Sequence, residues 1–431
     1  MPNLVVEILG FSLEIPFSVF YVLLFLILAS IFYIFFRLFV YFIWLPWLQK
    51  KYLAKQKFCL LHLIMPRINE QGPEATENLF NALGAAHKTG SWKERYSQGY
   101  FQQSVSFEIA SFGGDVHFFI FSPVQYRDLI EAAVYAAYPD VEIREVSDYV
   151  ERVNLEFPND EHELWGTSLI FYNKDYYPIR TYKSFEHSIL DPKRVKDPLQ
   201  GLIEILSKLK PGEEVWLQFV VTPIKSDWTK GGMKLIKEIA KKTMAEEKAP
   251  PPTLMQEFYR QIFATTGGEK KVEKVEKEFT PIPRGTQNIL ELIQSKISKT
   301  GFVVVPRMVY FAPKKVFSAP KGVSGVLGGL NGFNTLDMNG FKPNSKTKTT
   351  TPEYFLVEKR RAQRKKSVLK KFKTRGRFIL AGSIINREKP CILNSEELAS
   401  LYHFPYTGEK VEAIRAISSR RGRPPISLPV E

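Results

Sequence analysis

The chain has 431 residues, with 60 Lys or Arg against 45 Asp or Glu, a formal charge of +15, and two cysteines, Cys59 and Cys391. Two thiols so far apart exclude a disulfide framework and a thiolate metal site, and they fit a reducing compartment. The charge is uneven: residues 359–377 hold eleven Lys or Arg in nineteen positions without an acid.

Residues 16–48 form an almost unbroken apolar run, PFSVFYVLLFLILASIFYIFFRLFVYFIWLPWL, with Arg37 as its one charge. A bilayer core of roughly 30 Å needs about 20 apolar helical residues, so this N-terminal segment, 1–50, is expected to be a single-span membrane anchor. No Lys or Arg precedes the run and no small-residue cleavage site follows it, which argues against a secretory signal. Arg37 can snorkel toward Trp44 and Trp47. With Lys50, Lys51, Lys55 and Lys57 it biases the flank after the run, so the bulk of the chain is expected on the cytoplasmic side of the cell membrane.

Residues 57–150 have a readable order of elements. FCLLHLIMP is a buried-strand run, EATENLFNALGAA has helical spacing, and FQQSVSFEIA and VHFFIFS are strands joined by a turn at Gly113-Gly114-Asp115. Ser122-Pro123 with Gln125 has the pattern of a helix start, and Leu129, Ile130, Ala133, Val134 and Ala137 fall on one face of that helix. Pro139 stops it before the strand VEIREV. The order β-α-β-β-α-β predicts a ferredoxin-like unit in an α+β protein.

Residues 151–343 repeat this grammar in stretched form, as a second α+β domain. TSLIFYN and IRTY are strand-like, Asp197-Pro198 opens the helix PLQGLIEILSKL, and Pro211-Gly212 turns into EEVWLQFVVTPI. A charged helical insertion, about 228–300, precedes the strand FVVVPRMVYFA. Residues 344–377 are a polar linker, NSKTKTTTP, and the basic segment. Residues 378–431 begin with the strand-like RFILAGSII, continue with a short helix capped by Asn394-Ser395-Glu396-Glu397, and end in a Pro-rich tail.

No G-x-x-x-x-G-K-[ST], G-x-S-x-G or H-E-x-x-H occurs; TTGGEKK with Lys270 and YTGEK with Lys410 lack the phosphate-loop spacing. Asp160, Glu161, His162 and Glu163 are adjacent potential ligands that read as a solvated loop. His62, His87, His117, His187 and His403 are scattered. The glycine-rich residues 322–333 fit close backbone packing better than phosphate binding. No catalytic, cofactor or metal residue is assigned, and no enzymatic activity is expected.

The basic segment points to a polyanion site made of Lys359, Arg360, Arg361, Arg364, Lys365, Lys366, Lys370, Lys371, Lys373, Arg375 and Arg377. Anionic lipid, nucleic acid and a plain protein contact all fit such a run. Eleven like charges are expected to stay in water or meet an anionic partner, adding nothing to the folded core.

SVSFEIASFGGDVHFFIFSP, AAVYAAYPDVEIREVSDY, LIEILSKLKPGEEVWLQFVVTP and LNSEELASLYHFP together resemble the membrane-proximal, non-motor region of type IV secretion and conjugative DNA-transfer ATPases, especially membrane-anchored versions in bacteria of candidate phyla. The likeness spans residues 60–405 and rests on structural motifs. In that family the nucleotide-binding domain follows the last of these segments, where this chain ends, so ATP hydrolysis is not carried over. The resemblance implies a membrane-anchored platform, split or truncated from a separate P-loop motor ATPase, contacting secretion subunits and compatible with a homo-oligomer. A membrane-tethered nucleic-acid-binding protein acting without a motor is the alternative.

Overall fold

The computed structural model describes residues 3–8, 11–65, 69, 71–153, 156–186, 197–246, 283–350, 354–375 and 388–406. The chain divides into two compact units.

One unit contains residues 1–57, 88–103 and 374–387. It opens with an antiparallel pair, β1 (Asn3–Ile8) and β2 (Phe11–Pro16). The apolar run then forms α1 (Phe17–Phe39), a π turn at Val40–Trp44, and α2 (Leu45–Ala54). Tyr21–Ala54 is long and apolar enough to cross a membrane, with a mean hydropathy of 2.5 in its most apolar stretch. The 23 residues of α1 alone rise about 35 Å. A short helix, Trp92–Ser97, starts with a reciprocal capping box between Ser91 and Glu94. Trp44 donates its indole N–H to the Tyr96 carbonyl at 3.3 Å.

The other unit is built on a sheet of nine described strands. Its first half runs β3 (Phe58–Ile64), α3 (Pro73–Gly84), β4 (Val105–Phe112), β5 (Asp115–Pro123), α4 (Arg127–Ala137) and β6 (Glu142–Val146). Its second half runs β7 (His162–Phe171), α5 (Gln200–Ser207), β8 (Glu214–Pro223), α6 (Thr229–Glu246), α7 (Arg284–Ile297), β9 (Gly301–Pro313), α8 (Val326–Leu330) and β10 (Phe341–Pro343). The basic helix α9 (Val357–Thr374), β11 (Cys391–Asn394) and α10 (Ser395–Leu401) follow.

Strand order is β10-β7-β9-β8-β4-β5-β3-β6, with β11 on β9, and neighbours are antiparallel. Each half therefore has one strand order, fourth-first-third-second from the outer edge inward, and the halves meet edge to edge through β4 and β8. Residues 150 and 151 lie in the chain between β6 and β7, whose strands belong to this one sheet.

Alternation along the strands sends side chains to two faces. Leu61, Phe107, Ile109, Phe118, Leu217 and Met308 enter one core with residues of α3, α4, α5, α8 and α10. Leu60, Phe119, Trp216, Val309 and Phe311 enter another with Val150, Val153 and Phe157 and with Val368, Leu369 and Phe372 of α9.

Local signals place most of these elements. The β4–β5 turn sits at Gly113 and Gly114, with φ +64° and +103°, and a Cβ on Gly114 would lie 2.7 Å from the Ser207 carbonyl oxygen. Asn394 and Glu397 form a full capping box at α10. Within residues 322–333, Gly322 and Gly329 allow close packing, a Cβ on them lying 2.4 Å from the Tyr310 ring and 3.0 Å from Leu202, whereas Gly328 and Gly332 face open space.

Other expectations are corrected. Ser122 does not cap a helix; β5 continues through Pro123 because β3 pairs with it, Cys59 opposite Ser122, and α4 starts at Arg127 after a 3-10 turn. IRTY is not a strand: the N–H groups of Ile179 and Tyr182 donate to Glu397 Oε1 and Ser400 Oγ, both at 2.9 Å. NSKTKTTTP is not a loose linker. Thr347 Oγ1 accepts from Ser168 N at 3.0 Å and Thr349 N donates to the Gly166 carbonyl at 3.1 Å, so the segment satisfies backbone groups of β7. RFILAGSII lies outside the described residues, as do Lys270, Lys410 and His187.

Candidate polyanion-binding surface

The basic segment forms an 18-residue helix, because its Lys, Arg, Gln, Ala and Leu residues are good helix formers and no Pro or Gly interrupts them. Like-charge repulsion along the helix is offset by docking. Val368, Leu369 and Phe372 are buried in the core of the second sheet face, and the Phe372 ring packs 5.6 Å from Trp216. Gly166 on β7 permits the approach, since a Cβ there would lie 2.6 Å from Val368 Cγ1. The expectation that this segment adds nothing to the folded core is therefore overturned: three of its apolar residues recur on one helical face, and the sheet covers them.

Beneath the helix runs a polar row fixed by strand register. Glu108, Gln218 and Arg307 lie opposite one another on β4, β8 and β9. Arg307 donates from Nε and Nη2 to the two oxygens of Glu388, each at 2.9 Å, and from Nη1 to Gln218 Oε1 at 2.8 Å and the Lys371 carbonyl at 3.1 Å. Gln218 Nε2 donates to Glu108 Oε1 at 2.9 Å and to the Phe372 carbonyl at 3.2 Å. Tyr149 donates its hydroxyl to Glu108 Oε2 at 2.8 Å. Two carbonyls of the last turn of α9 are thus held by an amide and a guanidinium, and the cation complements the negative end of the helix. Burial pushes the Glu388 carboxyl up, but Arg307 and then Lys371 pull it below the usual range.

The eleven predicted cations separate into distinct environments. Lys359, Arg360, Arg361, Lys366 and Lys370 are exposed. Arg364 is half-buried and donates to the carbonyls of Ser345, Lys346 and Lys348 at 3.2–3.3 Å. Lys365 is paired with Glu163, and Lys371 with Glu388 at 3.7 Å. Lys373 is half-buried, Arg375 is buried, and Arg377 lies outside the described residues. At 100° per residue, the exposed Lys359, Lys366 and Lys370 fall within a stripe about 40° wide, away from Val368, Leu369 and Phe372. Neutralising a phosphate-bearing surface is what this stripe can do chemically.

Other charged groups hold the fold. Lys296 and Glu397 form a fully buried pair at 3.0 Å; Asn394 Nδ2 donates to the Lys296 carbonyl at 3.2 Å, tying α10 to α7. Burial raises the Glu397 carboxyl, opposed first by Lys296. His403 Nε2 lies 2.9 Å from Asp197 Oδ1. His62 Nε2 and His117 Nδ1 are 3.1 Å apart, and desolvation, then His117, lowers His62 to about 4. Of the run at residues 160–163, His162 stacks on Phe311 and Glu163 meets Lys365, and no group of three or more metal-type ligands converges among the described residues. A cavity of about 560 Å³ lies between α3 and α4, lined largely by Ala75, Ala82, Ala133, Ala136 and Ala137, with Glu74 its one carboxylate.

Sequence reasoning missed the polar row and the docked face of α9. The only local signal was the spacing of Val368, Leu369 and Phe372 within the charge run. The family model for a domain of unknown function, DUF8128, matches residues 53–413, so the chain belongs to that family. No curated protein matches the chain.

Proposed function

We propose that this member of the DUF8128 family is a membrane-anchored, non-catalytic platform or docking component of a type IV secretion or conjugative DNA-transfer machinery, working with a separate P-loop motor ATPase. The observation that carries the anchored reading is the Tyr21–Ala54 helix, whose apolar side chains are exposed along most of its length. Arg37, Lys50, Lys51, Lys55 and Lys57 favour a cytoplasmic body on the cell membrane. The strand order in each half of the sheet supports two ferredoxin-like units. The link to DNA transfer comes from the resemblance over residues 60–405.

In this reading the body supplies surfaces rather than chemistry. Its buried ion pairs Lys296–Glu397 and Arg307–Glu388 join elements of the fold. The exposed cations of α9 supply an electrostatic contact for a polyanion, with affinity that falls steeply with salt. That stripe also favours the second reading, a membrane-tethered nucleic-acid-binding protein without a motor.

Affinity purification of the full chain from native membranes, after mild crosslinking, tests the platform. A P-loop ATPase or other secretion subunit is expected in the eluate, and a reporter after Glu431 is expected to read cytoplasmic. Recovery of the chain with nucleic acid and no motor would favour the tethered binder; a reporter on the far side of the membrane would end both readings.

A further inference from the structure

Among the described residues, those entering the basic helix form a run of exposed apolar side chains outside the N-terminal helix. Tyr354 is 91% exposed, Phe355 75% and Leu356 70%, and Val357 follows as the first residue of α9. Leu356 also sits at φ +50°, the left-handed region that a leucine rarely adopts. An exposed apolar side chain on a strained backbone contributes little to folding and is a mark of a working surface.

The charges that follow break a second local rule. Glu358 is followed by three cations, Lys359, Arg360 and Arg361, in the first turns of α9, where the helix end already carries partial positive charge and cations are disfavoured. An anionic partner removes that penalty. From this N-terminal turn the stripe of Lys359, Lys366 and Lys370 continues along the exposed side of the helix.

We propose that Tyr354, Phe355 and Leu356 insert into the interfacial region of an anionic bilayer while the cation stripe of α9 lies on its phosphate headgroups, a second membrane contact beyond the N-terminal helix. This deepens the polyanion reading above and rests on it. Charge complementarity selects an anionic surface, and the aliphatic Leu356 selects hydrocarbon over nucleic acid, because base stacking uses aromatic rings and leaves this side chain unsatisfied. The chain carries its own membrane-spanning candidate, so a lipid surface is present wherever the protein is. Moving one leucine side chain from water to hydrocarbon favours the docked state by roughly tenfold to a hundredfold.

The test uses the full chain in nanodiscs of phosphatidylcholine with or without phosphatidylglycerol. Cys59 and Cys391 are buried, so Phe355→Cys supplies one accessible thiol for an environment-sensitive fluorophore. A blue shift and quenching by lipid-borne quenchers are expected in the anionic discs alone, and Tyr135→Cys, an exposed site on α4, is expected to report water in both. Replacing Lys359, Lys366 and Lys370 by Gln is expected to lower the docking equilibrium constant by roughly a hundredfold. Leu356→Asn removes the apolar side chain while keeping a residue that tolerates the left-handed backbone, so it is expected to weaken docking without unfolding the protein. A label at position 355 that stays in water on anionic discs overturns the proposal. If single-stranded DNA binding is then lost in the lysine triple variant, the polyanion reading stands and its partner is nucleic acid; if DNA binding is absent or unchanged, both fall.

Discussion

The two faces of the sheet share their strands and hold their covers by different means. On one face Phe107 packs 4.7 Å from Phe80 and 5.1 Å from Tyr402, and helices from both halves close a continuous apolar core. On the other, Glu108, the next residue, enters a polar row that grips the end of α9 through Gln218, Arg307 and Glu388. An apolar face asks for volume and tolerates many shapes. A buried polar row asks for partners, and one missing partner leaves the other desolvated.

The largest effect that separates the faces is expected at Phe107. Phe107→Ala opens a cavity in the apolar core and should cost about 4 kcal/mol in chemical denaturation, with no rescue by any single change of polarity.

Arg307→Met should cost roughly 3 kcal/mol, because the buried Glu388 loses the guanidinium that binds both of its oxygens. Here rescue is expected: adding Glu388→Met should recover most of the loss. A double variant as unstable as the single one would mean that the row contributes through packing, as the other face does.

Acid should weaken the polar face selectively. The folded His62 is lowered to about 4 from 6.5, so between those values the unfolded chain binds more protons and stability falls as pH falls. Glu388, held below its ordinary 4.5, contributes stability above that value and loses it as pH drops further. Melting curves of His62→Gln should be flatter from pH 6.5 to about 4 than those of the parent; an unchanged slope would remove His62 from the account.

The smallest expected effect is on the solvent stripe of the same helix. Lys359→Gln, Lys366→Gln and Lys370→Gln together should change folding stability by no more than about 0.5 kcal/mol. A larger loss in differential scanning calorimetry would place these lysines among the groups that hold the helix down.

Much of this architecture was legible residue by residue. The apolar helix, the β-α-β-β-α-β order before residue 150, the turn at Gly113 and Gly114, and the Asn394–Glu397 cap are written in signals a few residues long: period, turn chemistry and capping spacing. Among the candidate site residues, composition located the cations but did not sort them. Arg364, Lys365 and Lys371 look like Lys359, Lys366 and Lys370 in a string of like charges, and only the docked face separates those engaged by the fold from those left in water.

The amino-acid sequence by itself thus determined most of the helices and strands, though not the irregular path of residues 179–182 or the strand through Pro123, and where the apolar run and the positive charge lie, because these follow from interactions within a turn or two of chain. Tertiary structure alone decided that β4 and β8 join the halves into one sheet, that Thr347, Thr349 and Thr350 line β7, and that α9 is a half-buried element. Each of those choices pairs distant residues: Gln218 and Glu108 are 110 apart in the chain, and Lys365 and Glu163 are 202 apart. Such pairs gain their energy through register and burial, which exist only once the sheet has formed.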